Sequence, residues 1–320
     1  MNVNAFEKSI SKEKQRKMMT RTQKRLLFYV LIVALPVAQF CIFYIYVNFN
    51  SIIMAFQKYE ANANSLGYTI SFAGLDNFTQ AFGQLKQSGY MIVNSLKLYA
   101  VNLFIVLPLS LVFSFYLYKK FAFSGIFQVI LFLPQILSSV VIGLLFKYVV
   151  SDFYIAFMQK VVGKEVLSLI VDPKTSLGTV LFYNAWVGFG VNVLMFHGAM
   201  NGINESIIES AHLDGANILR EFWNIVFPMI FPTFITFVIV GMAGVFTNQM
   251  HLYTLFGGGG TNLSTLGYYL YVSAQQSDVV GSAYRLSYPA LASFGLILTI
   301  IIFPITLVTR KLLQKLGPSA

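Results

Sequence analysis

Charged side chains are scarce in this chain of 320 residues. Asp, Glu, Lys and Arg together make up 11% of it, whereas soluble domains carry about a quarter. Hydrophobic residues account for 57%, and the mean hydropathy is +0.69. Because so few charges could not cover the surface of a soluble protein of this length, the composition predicts an integral membrane protein.

Residue types that perform chemistry are also few. The single cysteine, Cys41, excludes an intramolecular disulfide framework and a cysteine-based metal site. The three histidines form no H-E-x-x-H pair, and no group of side chains offers metal ligands or a nucleophile with its base. A phosphate-binding loop of the G-x-x-x-x-G-K-[ST] kind is also missing. We therefore expect a protein that is not an enzyme and holds no cofactor of its own.

Long apolar segments dominate what remains. A helix needs about 20 apolar residues to cross a hydrocarbon core of about 30 Å. Six segments qualify, at approximately 26–47, 95–118, 126–149, 177–200, 228–249 and 286–308. They predict an all-α fold with about six transmembrane helices. None has an Asp or Glu at mid-depth, which counts against a proton- or sodium-coupled carrier without excluding one.

Positive charge flanks these segments unevenly. Fourteen Lys or Arg lie in 1–25, 119–125, 201–227 and 309–320, against six in the pieces on the other side. Because Lys and Arg favour cytoplasmic loops, both termini are predicted to be cytoplasmic, in a multi-pass protein of the cell (inner or cytoplasmic) membrane.

The domain organisation follows from the same charges. Residues 1–25 form a predicted basic cytoplasmic tail, of a kind that favours contact with anionic lipid, and residues 26–320 form the membrane domain. The net charge of +10 does not indicate nucleic acid, because the cations lie at the ends of apolar runs and form no patch.

The loop at 201–227 differs from the others. Asn204 is typical of a helix N-cap, Ile208 and Ala211 follow at helical spacing, and Gly215 is placed to end the helix. A second short helix is expected before the fifth span. The amphipathic helix predicts docking onto a partner protein or, alternatively, onto the membrane surface. Four acids against one Arg in this loop favour the protein partner over an anionic leaflet.

The same loop contains a spaced pattern. Glu-Ser-Ala stands at 209–211, Gly215 follows, and Ile225, Phe227 and Pro228 close it. This segment resembles the EAA loop of permease subunits of binding-protein-dependent ABC importers, E-A-A-x(3)-G-x(9)-I-x-L-P, with Ser for Ala and Phe for Leu. The Leu-Asp-Gly-Ala run at 213–216 is similar to the sugar-importing branch of that family.

A second resemblance lies on the other side of the membrane. Residues 72–78 read Phe-Ala-Gly-Leu-Asp-Asn-Phe, which resembles the F-x-G-L-x-N-F element before span two in permeases related to the maltose-transporter subunit. Together with the six spans, the two elements cover most of the chain. The extra N-terminal helices and large external domain of the maltose subunit have no counterpart here.

The resemblance implies a type I importer permease fold and a set of partners. These are a second homologous permease, two cytoplasmic ATPase subunits that bind ATP and Mg, and an extracellular solute-binding protein. It also implies that the EAA helix sits in a cleft of the ATPase, whose closure drives the permeases between inward- and outward-facing states. The residues expected at this contact are Glu209, Ser210, Ala211, Asp214, Gly215, Ile225 and Pro228.

A solute path needs groups that pair with hydroxyls and an aromatic face. The candidates within or beside the spans are Gln135, Ser139, Asn184, Trp186, Gly188, Asn192, Asn248 and Gln249. Several fall near positions that align with sugar-contacting positions of the maltose-type subunit, namely Gln135, Ser139, Asn184, Gly188 and Gln249. Hydrogen bonding between helices is the alternative role for each. The lack of buried charge favours a neutral solute.

Two other functions stay open from the sequence. One is an ABC permease for a different solute, and the other is a secondary carrier or channel that works without ATP. An enzyme is the weakest alternative.

Overall fold

The computed structural model describes residues 20–61, 68–259, 261–276 and 287–317. In chain order its helices and strands are α1 (Arg21–Met54), β1 (Gln57–Ala61), β2 (Tyr68–Phe72), α2 (Asp76–Gln87), α3 (Gly89–Tyr118), α4 (Ser124–Ile136), α5 (Ser139–Val162), α6 (Ser176–Asn201), α7 (Glu205–Leu213), α8 (Ile218–Gly244), α9 (Leu252–Phe256), α10 (Leu266–Gln276) and α11 (Tyr288–Leu316). Among the described residues six helices, α1, α3, α5, α6, α8 and α11, are long and apolar enough to cross a membrane. The predicted all-α membrane fold is confirmed.

The first span begins earlier than hydropathy predicts. Thr20 caps α1: its hydroxyl accepts a hydrogen bond from the Gln23 amide at 3.3 Å, and the Gln23 side chain accepts one from the Thr20 amide at 3.0 Å. This reciprocal capping box starts the helix before the apolar run. The last residues of the predicted basic tail are therefore helical, and residues 1–19 lie outside the described part. Residues up to Met54 form a unit of their own, in which no residue of α1 is buried.

The remaining described residues form a second unit that begins at Ala55. Strands β1 and β2 pair as an antiparallel hairpin, from Gln57 opposite Phe72 to Ala61 opposite Tyr68. Buried Asn77 donates to the carbonyls of Ala55 at 2.9 Å and Gln57 at 2.8 Å. Gly74 makes the preceding turn with a φ of +56°. Two residues of the F-x-G-L-x-N-F element therefore join the hairpin to α2.

The predicted third span, 126–149, is wrong as a single helix. Helix α4 ends at Ile136, Leu137 and Ser138 are extended with ψ values of 149° and 136°, and α5 then runs from Ser139 to Val162. Hydropathy does not reveal this break, because the residues on both sides of it are apolar. An apolar run shows that side chains avoid water, but it does not show where a helix ends. Pro134, inside the last turn of α4, was the one local signal of the break.

Two other prolines modify helices without ending them. Pro108 in α3 follows a π-helical turn at Asn102–Val106, and Pro228 in α8 follows another at Phe222–Val226. Proline lacks an amide hydrogen and its ring crowds the carbonyl four residues earlier, so a wider turn relieves the clash. The second short helix predicted before Pro228 is thus the first part of α8.

Helix α6 lies at the centre of the second unit and packs against α3, α4 and α8. At one end a buried apolar cluster, defined by Leu111, Phe115, Phe196, Ile208 and Phe222 with their neighbours, joins α3, α6, α7 and α8. At the other end Phe146, Tyr183 and Leu252 belong to a second cluster that joins α5, α6 and α9. Between the two ends lies the cavity described below.

Candidate functional site

A cavity of about 460 Å³ opens between α3, α4, α6 and α8. Its volume lies within the range of about 300–1,000 Å³ that is usual for small-molecule sites. Most of its wall is apolar, and Tyr99 and Phe237 supply aromatic rings. No Asp, Glu, Lys or Arg stands among the described residues that line it.

Side-chain amides supply the polarity of this cavity. Five residues with amide side chains line it: Asn102, Gln135, Asn184, Asn192 and Asn248. Gln135 donates to the Val187 carbonyl at 2.7 Å, and Asn184 donates to the carbonyls of Val180 at 2.9 Å and Met250 at 3.0 Å. These bonds use the NH₂ groups, so the amide oxygens remain available as acceptors.

One side of the cavity is formed by a turn after α8. Asn248 accepts a hydrogen bond from the Met250 amide at 2.9 Å, and both Met250 and His251 have left-handed backbones, with φ values of +51° and +57°. Such conformations cost about 1–3 kcal/mol each in a non-glycine residue and persist where the surroundings impose them. Burial lowers the pKa of His251, so its imidazole is neutral at neutral pH and adds no charge.

The structure brings five of the eight predicted solute-path residues to the cavity: Gln135, Asn184, Gly188, Asn192 and Asn248. It does not bring the other three. Ser139 is exposed at the start of α5, and Trp186 packs toward Phe146 and Tyr183 with ring centroids 6.3 Å away in both cases.

Gln249 is the third residue away from the cavity lining. Its side-chain oxygen is buried and accepts no hydrogen bond from a described residue. Conversely, Asn102 and His251 line the cavity although the sequence analysis did not select them. Asn102 could have been selected, because it is a polar residue within the second apolar segment. No comparable signal in the sequence points to His251.

The predicted amphipathic helix of the 201–227 loop is α7. The Asn204 side chain accepts a hydrogen bond from the Ser206 amide at 3.1 Å and so caps the start. At the other end Gly215 has a φ of +77°. The amides of Gly215 and Ala216 donate to the carbonyls of His212 and Ala211 at 3.1 and 2.9 Å. This is a Schellman end, which needs a left-handed residue where glycine stands.

The seven predicted coupling residues divide by exposure. Glu209, Ser210, Asp214 and Gly215 are exposed, whereas Ala211 is buried and Ile225 and Pro228 in α8 are half-buried. Ile208 and Ala211 are buried on the apolar stripe of α7, and Ile208 packs in the cluster around Phe115 and Phe222. The stripe is therefore covered largely by the chain itself. The part of α7 that stays exposed is its polar face together with Leu213, which is 89% exposed.

Glu221 is one of the four acids that the sequence analysis counted in the loop at 201–227. Its side chain is fully buried at the start of α8. Both carboxylate oxygens accept hydrogen bonds from Lys119 Nζ at 3.0 Å, and Oε2 lies 2.9 Å from His212 Nε2. These three residues, the Glu221 cluster, connect the end of α3, the last turn of α7 and the start of α8.

Comparison with known proteins identifies the family. The sequence profile of the family described as "Binding-protein-dependent transport system inner membrane component" matches residues 105–319. That range covers well over half of the chain and includes most of the residues that line the cavity, together with α7 and the Glu221 cluster, so the chain belongs to this family. It is a membrane-spanning subunit of a binding-protein-dependent transport system.

Its relatives include sugar permeases. The arabinooligosaccharides transport system permease protein AraP of Bacillus subtilis (strain 168) is 26% identical over 283 residues, which are 86% of this chain and 85% of that protein. The multiple sugar-binding transport system permease protein MsmF of Streptococcus mutans serotype c is 25% identical over 260 residues, 79% of this chain and 85% of that protein.

A solved structure shares the fold. A chain from a bacterial ABC transporter involved in the import of the acidic polysaccharide alginate matches with a TM-score of 0.71 at 19% identity, over 91% of this chain and 96% of that chain. The importer permease fold that the sequence resemblance implied is therefore confirmed.

Proposed function

We propose that this chain is the permease subunit of an ATP-driven importer and that its solute is a neutral sugar or oligosaccharide. The observation that carries the proposal is the cavity, whose described lining contains side-chain amides and aromatic rings and no charged residue. Amides exchange hydrogen bonds with hydroxyl groups, and aromatic rings pack on the C–H face of a sugar ring. A phosphate or carboxylate in this cavity would be desolvated without a counter-charge, which is costly.

The shared fold does not itself require a neutral solute, because the structural neighbour belongs to an importer of an acidic polysaccharide. The cavity lining must therefore decide the charge of the solute. Two sugar permeases among the relatives support the carbohydrate class.

We further propose the assembly that the family resemblance implies. A second homologous permease and an extracellular binding protein complete the path, and two ATPase subunits dock on the exposed face of α7 from the cytoplasm. Glu209, Ser210 and Asp214 lie on that face and are exposed. With both termini cytoplasmic, α7 faces the ATPases in the inner (cytoplasmic) membrane.

The first test is co-purification of the tagged chain, expressed together with its genomic neighbours, followed by an ATPase assay in nanodiscs with and without Gly215→Pro. A left-handed φ is impossible for proline, so the substitution should detach the ATPase or uncouple hydrolysis from transport. If the chain purifies alone and moves solute without ATP, the importer assignment is wrong and a secondary carrier replaces it.

The second test addresses the solute. The partner binding protein is screened against neutral arabino- and malto-oligosaccharides, alginate oligosaccharides and sn-glycerol 3-phosphate, and uptake of each is measured in proteoliposomes that contain the whole complex. Binding and uptake of a neutral oligosaccharide alone are expected. Preferred uptake of an acidic solute would overturn the neutral-sugar part and leave the importer part standing.

A further inference from the structure

Glu221 is the only charged side chain that is buried among the described residues. A buried carboxylate is tolerated only when charged or hydrogen-bonding groups surround it. Lys119 Nζ at 3.0 Å and His212 Nε2 at 2.9 Å supply these groups here. Because the loss of either contact leaves the carboxylate poorly satisfied, the cluster holds its three elements in one arrangement.

The three members of the Glu221 cluster lie on three different helices or helix ends. His212 lies in α7, whose outer face is the proposed ATPase contact, and its side chain is half-exposed. Lys119 follows the last residue of α3, and Glu221 lies in the first turn of α8. A force on α7 therefore reaches the ends of two membrane spans through one carboxylate.

Both of these spans also line the cavity. Helix α3 contributes Tyr99 and Asn102 to the cavity, and α8 contributes Phe237 and Gly241. Within the cavity region the Tyr99 hydroxyl donates to the Val238 carbonyl at 3.1 Å. The spans are thus joined at two levels, by this hydrogen bond and by the Glu221 cluster.

We propose that Glu221 is a positioning residue which, with Lys119 and His212, makes α7, α3 and α8 move as one body and so transmits motion of the ATPases to the cavity. The inference rests on the proposed function for its ATPase partner, but not for its sugar. Ile208 and Ala211 hold α7 by its apolar face. The hydrogen bond from His212 to a buried carboxylate adds a directional contact that further restricts rotation of the helix.

The first experiment measures the chain itself. Hydrogen exchange of α7 amides is compared in wild type, His212→Ala, His212→Gln and, as control, Lys120→Asn. Lys120 is exposed beside Lys119 and makes no ion pair with a described residue. His212→Ala should speed exchange in α7 and the first turn of α8 by roughly three- to tenfold, as expected for the loss of a half-exposed hydrogen bond to a charged group. Gln, whose amide can donate to Glu221, should restore protection.

The second experiment measures transmission in the complete complex with its binding protein. Cys41, the single cysteine, is replaced by serine, and Val191→Cys places a thiol on the cavity wall. Labelling by a membrane-impermeant maleimide is followed with and without ATP and vanadate. The change in labelling rate should fall about fivefold or more in His212→Ala, the lower end of typical coupling between distant sites, and return in His212→Gln.

The outcomes separate the two proposals. If the wild-type complex assembles and its labelling responds to ATP, but the labelling of His212→Ala responds to the same extent, the positioning role is wrong. Unchanged α7 exchange in His212→Ala would also overturn it. If no ATPase subunit associates with the wild-type chain, the proposed function fails, whereas the exchange result still reports on the cluster.

Discussion

Gly188 leaves open space on the cavity wall, because a Cβ added there would meet no atom within 4 Å. We predict that Gly188→Val folds and assembles normally but lowers uptake at least tenfold, since the new side chain occupies volume that the solute needs. Gly198→Val is the matched control: the same substitution in the same helix, also with no atom within 4 Å but away from the cavity. Equal uptake by both variants in proteoliposomes would show that the solute does not pass this wall.

Asn192 allows the charge of the solute to be tested. It is half-buried on the cavity wall, where an introduced charge is weakly screened and acts strongly on a charged neighbour. For a neutral sugar we expect Asn192→Asp and Asn192→Lys to lower uptake to a similar extent. An anionic solute would instead be taken up better by the Lys variant than by the Asp variant. Uptake kinetics of both variants with the same labelled solutes decide between the two.

The residues of the cavity were only partly predictable from the sequence. Gln135, Asn184 and Asn192 were selected because a polar side chain in an apolar segment is conspicuous, and all three line the cavity. Trp186 lies two residues from Asn184 but on another face of α6, toward Phe146. Assigning it required the contact between α5 and α6, which a linear pattern does not contain.

Among the elements, α7 depends on the conformation of one residue at its end. Gly215 has a φ of +77°, and a side chain in the left-handed region costs roughly 1–2 kcal/mol. We predict that Gly215→Ala weakens retention of the ATPase about five- to thirtyfold, because the Schellman end is distorted, and that Gly215→Asn has a smaller effect, since Asn tolerates this region. Binding of purified ATPase to the permease in nanodiscs measures both, and equal loss in the two variants would contradict the conformational explanation.

The ion pair between Lys119 and Glu221 joins α3 and α8, and it leads to a prediction about stability. Lys119→Met leaves the fully buried Glu221 with His212 alone, and removal of one partner of a buried ion pair costs about 3–5 kcal/mol. The double variant Lys119→Met/Glu221→Leu should regain most of the loss, because no charge is then left buried. Thermal unfolding in detergent compares them. If the single variant is as stable as wild type, water reaches Glu221 and the pair contributes little.

Helices were predicted well where hydropathy determines them. They were predicted poorly where the local backbone conformation determines where a helix ends. The number of membrane-crossing helices, the positions of five of them and the short helix α7 follow from apolar runs, periodicity and caps. The break at Leu137 and Ser138 does not, because both sides of it are equally apolar. Burial of Glu221 was also unpredictable, since its partner Lys119 lies 102 residues away in sequence.

At the scale of the whole molecule, the described residues of the second unit combine a cavity with no Asp, Glu, Lys or Arg in its lining and one buried ion cluster near one end. The polar groups of the cavity are neutral amides, which cost less to desolvate than charges when a solute binds. The cluster is built from charges whose separation is expensive, which suits a contact that should not open during transport.

A double variant can test whether α3 and α8 move as one body. Tyr99 and Lys119 are 20 residues apart in sequence, so the two joints between these helices are about 30 Å apart. Substitutions at such a distance are normally additive within about 0.5 kcal/mol. Motion of α7 enters α8 through the contact of His212 with Glu221, and it passes from α8 to the cavity wall of α3 through the hydrogen bond from Tyr99 to Val238. If these two contacts act in series, breaking one already interrupts the path. We therefore predict that Tyr99→Phe and His212→Ala each reduce the ATP-dependent change in Val191→Cys labelling, and that the double variant is no worse than the more impaired single one. Additive losses would mean that each joint carries its own share of the motion and that the two spans move separately.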